Sequence, residues 1–170
     1  MPATERRRTI VRVRLVGAVT VLLLGAGAVP AGAEPIADPQ PGSPCPVSVA
    51  DAFTVLPDAR EVVACGIAGG GLAWQPVTQP FDPSDVWLSY GPGLTLNGQG
   101  RRNPEILSGQ WTATPLDGGS CGAEQAPVTD AGVGAPQTTT GKPGEMLSFE
   151  VLPVVYTITL TGNCLWERSA

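Results

Sequence analysis

The chain has 170 residues, a formal net charge of −5 and no histidine, and 42% of its residues are hydrophobic. Without an imidazole it has no Ser-His-Asp or Cys-His nucleophile, no histidine-ligated metal and no side chain whose ordinary pKa is near neutral. These counts exclude the commonest hydrolase chemistry and predict one domain with a modest core.

Residues 1–33 have the layout of a secretion signal. Five arginines precede an apolar run at 15–29, which ends in Pro30 and the small residues at 31–33. The run is about 15 residues, shorter than the roughly 20 that span a bilayer. We expect cleavage before Glu34, with an uncleaved membrane anchor as the alternative. Arg7 and Arg8 loosely fit a twin-arginine signal, so both export routes stay open.

Cleavage would make the chain more acidic, because five arginines leave with the leader. The product would carry 14 acidic against 5 basic side chains. Nucleic acid and anionic lipid surfaces are poor partners for such a chain. No later stretch reaches membrane-spanning length, so we predict a secreted product that does not bind the membrane.

The elements that follow the leader begin with a proline-rich stretch at 34–46, which predicts an extended tether. Ser48 and Asp51 have capping-box spacing, and apolar residues recur at helical spacing until Pro57. One short N-terminal helix is therefore predicted, and a strand over the same residues is the alternative. Apolar runs separated by glycine and proline then predict eight strands, at 61–67, 72–75, 86–90, 94–97, 106–114, 147–151, 154–161 and 164–167.

The last strands alternate clearly, but their parity changes at Leu152 and Pro153. A bulge or a bend between sheets at that point would keep both apolar sets inward. The second set is Val154, Tyr156, Ile158 and Leu160. Residues 161–163 are predicted to turn a hairpin, and residues 130–144, which lack large apolar side chains, are predicted to form a mobile surface loop.

Four cysteines in a small exported chain predict two disulfides. Three pairings are possible. Cys45 with Cys65 and Cys121 with Cys164 is favoured, because each pair closes one half of the chain. A zinc site is the alternative, but it would need C-x-x-C spacing or histidine. No metal and no cofactor are predicted.

Strand phase separates the tryptophans into two groups. Trp74 and Trp111 share a face with apolar neighbours and are predicted to be core. Trp87 falls on the polar face of its strand, where an indole could stack on a sugar or anchor a protein contact. The favoured interpretation is that the neighbouring Gly- and Pro-rich segments or a second sheet cover Trp87. The predicted contact surface consists of Trp87, Tyr90, Arg101 and Arg102.

Asp82, Asp85 and Glu105 are the carboxylates near this surface. Two converging carboxylates could hydrolyse a glycoside. Fourteen scattered acidic residues make chance pairs common, so solvated surface charge is the favoured interpretation. No catalytic residue is predicted.

The second half of the chain resembles a group of small secreted actinobacterial β-proteins of mycobacterial type. The matching residues are Ile106, Gly109 and Trp111 before Cys121, and then Cys164 and Trp166. The chain departs from the pattern at Leu107 and Ser108, where the group carries proline before glycine, and at Leu165. The resemblance implies a disulfide-pinned immunoglobulin-like domain and transfers no catalytic residue.

Together these observations predict an all-β fold, an immunoglobulin-like β-sandwich over residues 47–170. The expected function is that of a secreted non-enzymatic binding module at the cell envelope or in the medium. Its partner would be a protein, a glycan or an apolar ligand. The alternatives are a carboxylate-dependent hydrolase of cell-wall glycan and a carrier with a cavity of several hundred Å³ for a small apolar ligand.

Overall fold

The structure, a computed structural model, describes residues 38–57, 60–91 and 93–169, so the predicted signal at 1–33 lies outside the described residues. The described residues form one 3₁₀ turn, Val47–Val49, and twelve strands, which confirms the all-β prediction. The strands are β1 (Phe53–Val55), β2 (Val62–Ala68), β3 (Gly71–Pro76), β4 (Val86–Ser89), β5 (Leu94–Asn97), β6 (Gly109–Pro115), β7 (Gly122–Thr129), β8 (Gly132–Val133), β9 (Gln137–Thr140), β10 (Leu147–Val151), β11 (Val155–Thr161) and β12 (Cys164–Arg168). Within this part of the chain, no helix has the length and apolar character needed to cross a bilayer.

The strands form two sheets over a shared core. The larger sheet has the order β10-β6-β12-β4-β1-β2-β3. The smaller has the order β5-β11-β7-β8, and β9 pairs with another part of β7. β1 and β4 run parallel, whereas β4 and β12 run antiparallel. Buried residues of both sheets, among them Trp166 and Ile158, belong to one apolar cluster. The core therefore lies between the two layers.

The chain changes sheets twice near its end. β10 lies in the larger sheet and β11 in the smaller, which confirms the predicted bend at Leu152. A register irregularity between Val155 and Thr157 turns Val155 into the core. Val154 is instead 52% exposed and Tyr156 is half-buried, so the predicted inward positions of these two residues are wrong. Sequence alternation cannot say which residue a bulge removes from the pattern.

The turn at 161–163 is the second change of sheet, because β12 pairs with β4 and β6 and not with β11. The hairpin predicted there is therefore wrong. Gly162 has φ of 90°, and a Cβ at this position would collide with the carbonyl oxygen of Ser120. The disulfide between Cys121 and Cys164 joins the two sheets beside this turn, and a second one joins Cys45 and Cys65. Both predicted pairings are confirmed.

The outer face of the larger sheet is covered as well. Leu88 on β4 packs there with Trp74 of β3 and Val49 of the N-terminal segment, in a cluster separate from the main core. Trp74 and Trp111 are each 1% exposed, as predicted for core residues. Because the sheet is covered on both faces at β4, the consecutive residues Trp87, Leu88 and Ser89 are all buried.

The segment before β2 differs from its prediction. The predicted helix is reduced to the 3₁₀ turn, and β1 occupies its second half. Asp51 has φ of 62°, which ends helical geometry, and the Thr54 hydroxyl donates a buried hydrogen bond to the Leu88 carbonyl at 2.7 Å. Upstream, the Cys45 N–H donates to the Leu72 carbonyl at 3.2 Å. The last residues of the proline-rich stretch therefore lie against β3.

The predicted loop at 130–144 contains two strands. β8 pairs with the end of β7 and β9 pairs with its beginning. Most of their side chains are exposed, so strand pairing here rests on backbone hydrogen bonds and leaves no apolar pattern in the sequence.

Candidate functional site

A cleft of about 560 Å³ opens between the β1–β2 hairpin and β5. Its apolar wall comes mainly from the hairpin and from Leu94 of β5. The apolar lining residues are Val55, Leu56, Pro57, Val62 and Leu94, and the others are Arg60, Tyr90, Gly93, Thr95, Asn97, Arg101 and Glu105. This size is within the range of small-molecule and cofactor sites.

The two long sides of the sandwich differ, and the cleft lies on the side where β5 is the edge strand. On one side the buried side chain of Gln125 on β7 bridges to β10, donating to the Glu150 carbonyl at 2.9 Å and accepting from the Leu152 N–H at 3.1 Å. On the other side β5 is the last strand of the smaller sheet. The β1–β2 hairpin of the larger sheet faces β5 across the cleft.

The hairpin presents Arg60 to the cleft. The Leu56 N–H donates to the Glu61 carbonyl at 2.8 Å, and the Arg60 N–H donates to the Leu56 carbonyl at 3.1 Å. Arg60 itself has φ of 49°, a left-handed conformation that is uncommon for a residue other than glycine. These bonds hold the turn, so the position of Arg60 at the mouth of the cleft follows from the hairpin.

Arg101 reaches the cleft from the loop after β5. Its N–H donates to the Gly98 carbonyl at 3.0 Å, and the Gly100 N–H donates to the Val155 carbonyl at 2.7 Å. The guanidinium lies over the Tyr156 ring, 4.7 Å from its centre. Stacking on an aromatic ring restrains an arginine while leaving its N–H donors available at the edge of the group.

The charged residues that line the cleft are two arginines and one glutamate, whereas the chain as a whole has more acidic than basic residues. Among the described residues, the ion pairs are Arg168 with Asp85 and Lys142 with Glu145. Arg60 and Arg101 are in neither pair. Glu105 is engaged with the backbone, because its Oε2 accepts from the Asn97 N–H at 2.8 Å. The cleft therefore offers two guanidinium groups for an anion within a strongly acidic chain.

The structure brings together two of the four predicted contact residues. Tyr90 and Arg101 both line the cleft, and the Tyr90 hydroxyl donates to the Val55 carbonyl at 3.4 Å. Arg102 is exposed but does not line the cleft.

The favoured interpretation that other parts of the protein cover Trp87 is confirmed, and its place in the predicted contact surface is wrong. Trp87 is 0% exposed, packs against Phe53 and Phe81, and donates from its indole to the Ser84 carbonyl at 3.2 Å. Its face of β4 looks polar in sequence but meets the core between the two sheets. The apolar face of β4, which carries Leu88, is covered by the N-terminal segment instead.

Sequence reasoning missed Arg60 and the hairpin that carries it. Arg60 follows Pro57 between two apolar runs, which is a signal for a turn. A single basic residue in a turn does not distinguish a ligand contact from a solvated charge. Only the placement of the hairpin opposite β5 gives Arg60 a cleft to line.

The three carboxylates considered for glycoside hydrolysis lie in different surroundings. Glu105 lines the cleft, whereas Asp82 lines a separate depression with Phe81 and Asn103. Asp85 lines neither and accepts from Arg168 at 3.3 Å. The structure therefore does not bring the three together in one cleft.

All four cysteines are in disulfides, and the described residues contain no group of three histidine, cysteine or acidic side chains placed to hold a metal. Comparison of the chain with protein-family models, with curated proteins and with solved structures finds no match.

Proposed function

We propose that this protein is a secreted, non-enzymatic binding module that acts at the cell envelope or in the surrounding medium, and that the cleft between the β1–β2 hairpin and β5 is its binding site. The observation that carries the proposal is the pairing of an apolar wall with Arg60 and Arg101, neither of which has a carboxylate partner among the described residues.

These features favour a ligand that carries an anionic group beside an apolar part. Arginine binds carboxylates and phosphates through paired N–H donors, and such charge-assisted bonds are worth about 1.5–3 kcal/mol each. The surrounding acidic surface repels anions at a distance, but salt screens that repulsion beyond about 10 Å. Recognition would then depend on contacts inside the cleft.

Secretion is supported by the leader and by two disulfides, which persist in oxidising compartments. An immunoglobulin-like class for the sandwich is supported by its two mainly antiparallel sheets and by the disulfide between Cys121 and Cys164, which joins one sheet to the other. On such a sandwich, recognition commonly uses the loops and edges, as the cleft does here.

A carrier function is the second candidate, because the cleft has the volume predicted for it. The cavity lies at the edge of the sandwich and includes charged residues, so its cargo would be amphiphilic and not purely apolar. The separate positions of Asp82, Asp85 and Glu105 give no support to the glycan hydrolase alternative.

The test is cosedimentation of the oxidised protein with purified envelope fractions at about 0.1 M and about 1 M salt. The test variant is a double one, in which Arg60→Ala and Arg101→Ala are combined. Arg102→Ala is the matched control, because Arg102 is an exposed arginine outside the cleft. We expect the double variant to lose about tenfold or more in bound fraction. The control should bind as the wild type does.

Equal pelleting of the wild type and the double variant would show that the cleft is not the site. Absence of pelleting by the wild type would overturn binding at the envelope.

A further inference from the structure

The free edge of β5 exposes the backbone of one residue. The Gly98 N–H donates to the Tyr156 carbonyl at 3.1 Å, and Leu96 pairs with Ile158 two positions earlier. In an antiparallel ladder, hydrogen-bonded pairs alternate with pairs that exchange no bonds. Thr95 opposite Thr159 is therefore a non-bonded pair, which the 2.9 Å contact of their hydroxyl oxygens supports. The N–H and C=O groups of Thr95 point away from β11.

The neighbouring positions on this edge are blocked. The Gly93 N–H donates to the Tyr90 carbonyl at 3.4 Å. The Asn97 N–H donates to Glu105, and the Asn97 carbonyl accepts from the Glu105 N–H at 2.8 Å. Proteins usually cover or interrupt free sheet edges to prevent unwanted pairing. Here Tyr90 and Glu105 engage the positions on either side of Thr95 but not Thr95 itself, and no strand of the described sheet lies beyond it.

The open position lies within the cleft, because Thr95 lines it together with Arg60 and Arg101. A donor and an acceptor from one residue match one residue of an extended peptide, which is the geometry of strand addition. A lipid chain would leave both backbone groups without partners, which opposes its binding. Side chains of an added strand would alternate between the apolar wall and the guanidinium groups.

We infer that the cleft binds a short extended peptide that carries a carboxylate, with one peptide residue paired to Thr95 and its carboxylate held by Arg60 or Arg101. The inference rests on the proposed function and specifies its ligand class. Charge complementarity selects an acidic peptide, since the two arginines of the cleft have no carboxylate partner in the described chain.

The probe is the peptide acetyl-Val-Glu-Val-Glu-Val-amide, titrated into the oxidised ¹⁵N-labelled protein and followed by NMR. We expect shifts at the cleft residues and about tenfold slower hydrogen exchange of the Thr95 amide, because that amide gains a hydrogen bond. Methylation of single backbone nitrogens in the peptide should weaken binding at one position only, since a single peptide residue pairs with Thr95.

Thr95→Pro removes the edge N–H without removing a bond of the β11 ladder, and proline is tolerated at a free edge. Thr159→Val is the matched control. Both substitutions remove the hydroxyl contact between residues 95 and 159, but only the first removes the donor. We expect loss of peptide binding in Thr95→Pro and unchanged binding in Thr159→Val.

Three outcomes would overturn the inference, and they are distinguishable from failure of the proposed function. Binding of the peptide without protection of Thr95, or with no effect of backbone methylation, would overturn strand addition. Binding of octanoate through Arg60 and Arg101 without binding of the peptide would overturn the ligand class and leave the cleft as a binding site. Protection of Thr95 that grows with protein concentration alone would show that a second copy occupies the edge.

If neither the peptide nor octanoate shifts any cleft residue, and the double arginine variant pellets as the wild type does, the proposed site fails as well.

Discussion

Three of the four tryptophans have an oxygen partner for their indole N–H. Trp87 donates to the Ser84 carbonyl, Trp111 to the Leu107 carbonyl at 2.9 Å, and Trp166 to the Ser89 hydroxyl at 2.7 Å. An unpaired buried donor costs about 1–3 kcal/mol, so these three bonds remove that cost from the burial of the indoles. The tryptophans therefore stabilise the core and are not a recognition surface.

Replacement of Trp87 is expected to destabilise the protein. Trp87→Ala removes a fully buried ring between Phe53 and Phe81 and should lower the free energy of unfolding by about 3–5 kcal/mol. Urea unfolding monitored by circular dichroism measures this change. Ile67→Ala, at a side chain that is 84% exposed, is the control and should change stability by less than about 0.5 kcal/mol. Equal stability of both variants would mean that Trp87 is exposed.

At the scale of strands, two of the sheet edges, β10 and β5, differ in how their backbone groups are engaged. β10 ends the larger sheet, and Gln125 supplies its edge with a donor and an acceptor from the facing layer. β5 ends the smaller sheet, and there the covering groups leave Thr95 open to the cleft. At the first edge a side chain bonds to the backbone, whereas at the second the backbone groups of Thr95 have no partner among the described residues.

Loss of the Gln125 bridge should weaken the closed side. Gln125→Met keeps the volume of the side chain but leaves the Glu150 carbonyl and the Leu152 N–H without their partner. We expect the free energy of unfolding to fall by about 1–3 kcal/mol. A larger loss is not expected, since Glu150 is exposed and Leu152 is half-buried, so that water reaches both. Denaturant unfolding and faster exchange of the Leu152 amide would report it. Gln137→Met, at an exposed glutamine of β9, is the control and should change neither the free energy of unfolding nor the exchange of the Leu152 amide. If Gln125→Met also changed neither, the bridge would be contradicted.

At the scale of the whole molecule, the disulfides join parts that are distant in sequence. Cys121 and Cys164 are 43 residues apart and connect the two sheets. Cys45 and Cys65 are 20 residues apart and fasten the N-terminal segment to β2, where that segment covers the outer face of the larger sheet. Each layer of the protein is thereby attached to the next by one bridge.

Removal of either bridge should destabilise the protein to an extent set by the loop it closes. The loop-entropy relation gives about 4 kcal/mol for the Cys121–Cys164 bridge and about 3 kcal/mol for Cys45–Cys65. Each pair is replaced by two alanines, and urea unfolding compares the two variants. The opposite order would mean that strain or packing, and not loop closure, governs their contributions.

Several features follow from local sequence. Apolar runs separated by glycine and proline identify β2 to β6 and β10 to β12. Clear alternation in the last strands also indicates which side chains face the core. The change of parity at Leu152 identifies the step between sheets, and the spacing of the cysteines gives both bridges. The absence of histidine by itself excludes much catalytic chemistry.

Other features depend on which segments meet in space. β1 pairs along its whole length with β2 and meets β4 at Phe53 opposite Trp87, a contact across 34 residues. The helical spacing of the sequence does not reveal either pairing. Trp87 is buried although Asp85 and Ser89 beside it in sequence are polar, since β4 is covered on both faces.

The cleft has the same origin. Tyr90 and Arg101 can be proposed from sequence as contact residues, but Arg60 and the open backbone of Thr95 acquire a role only when the hairpin faces β5. Local pattern determines the strands and their faces, because it reflects period and residue type. Tertiary structure decides which face is covered and which edge stays open, because both depend on contacts between distant parts of the chain.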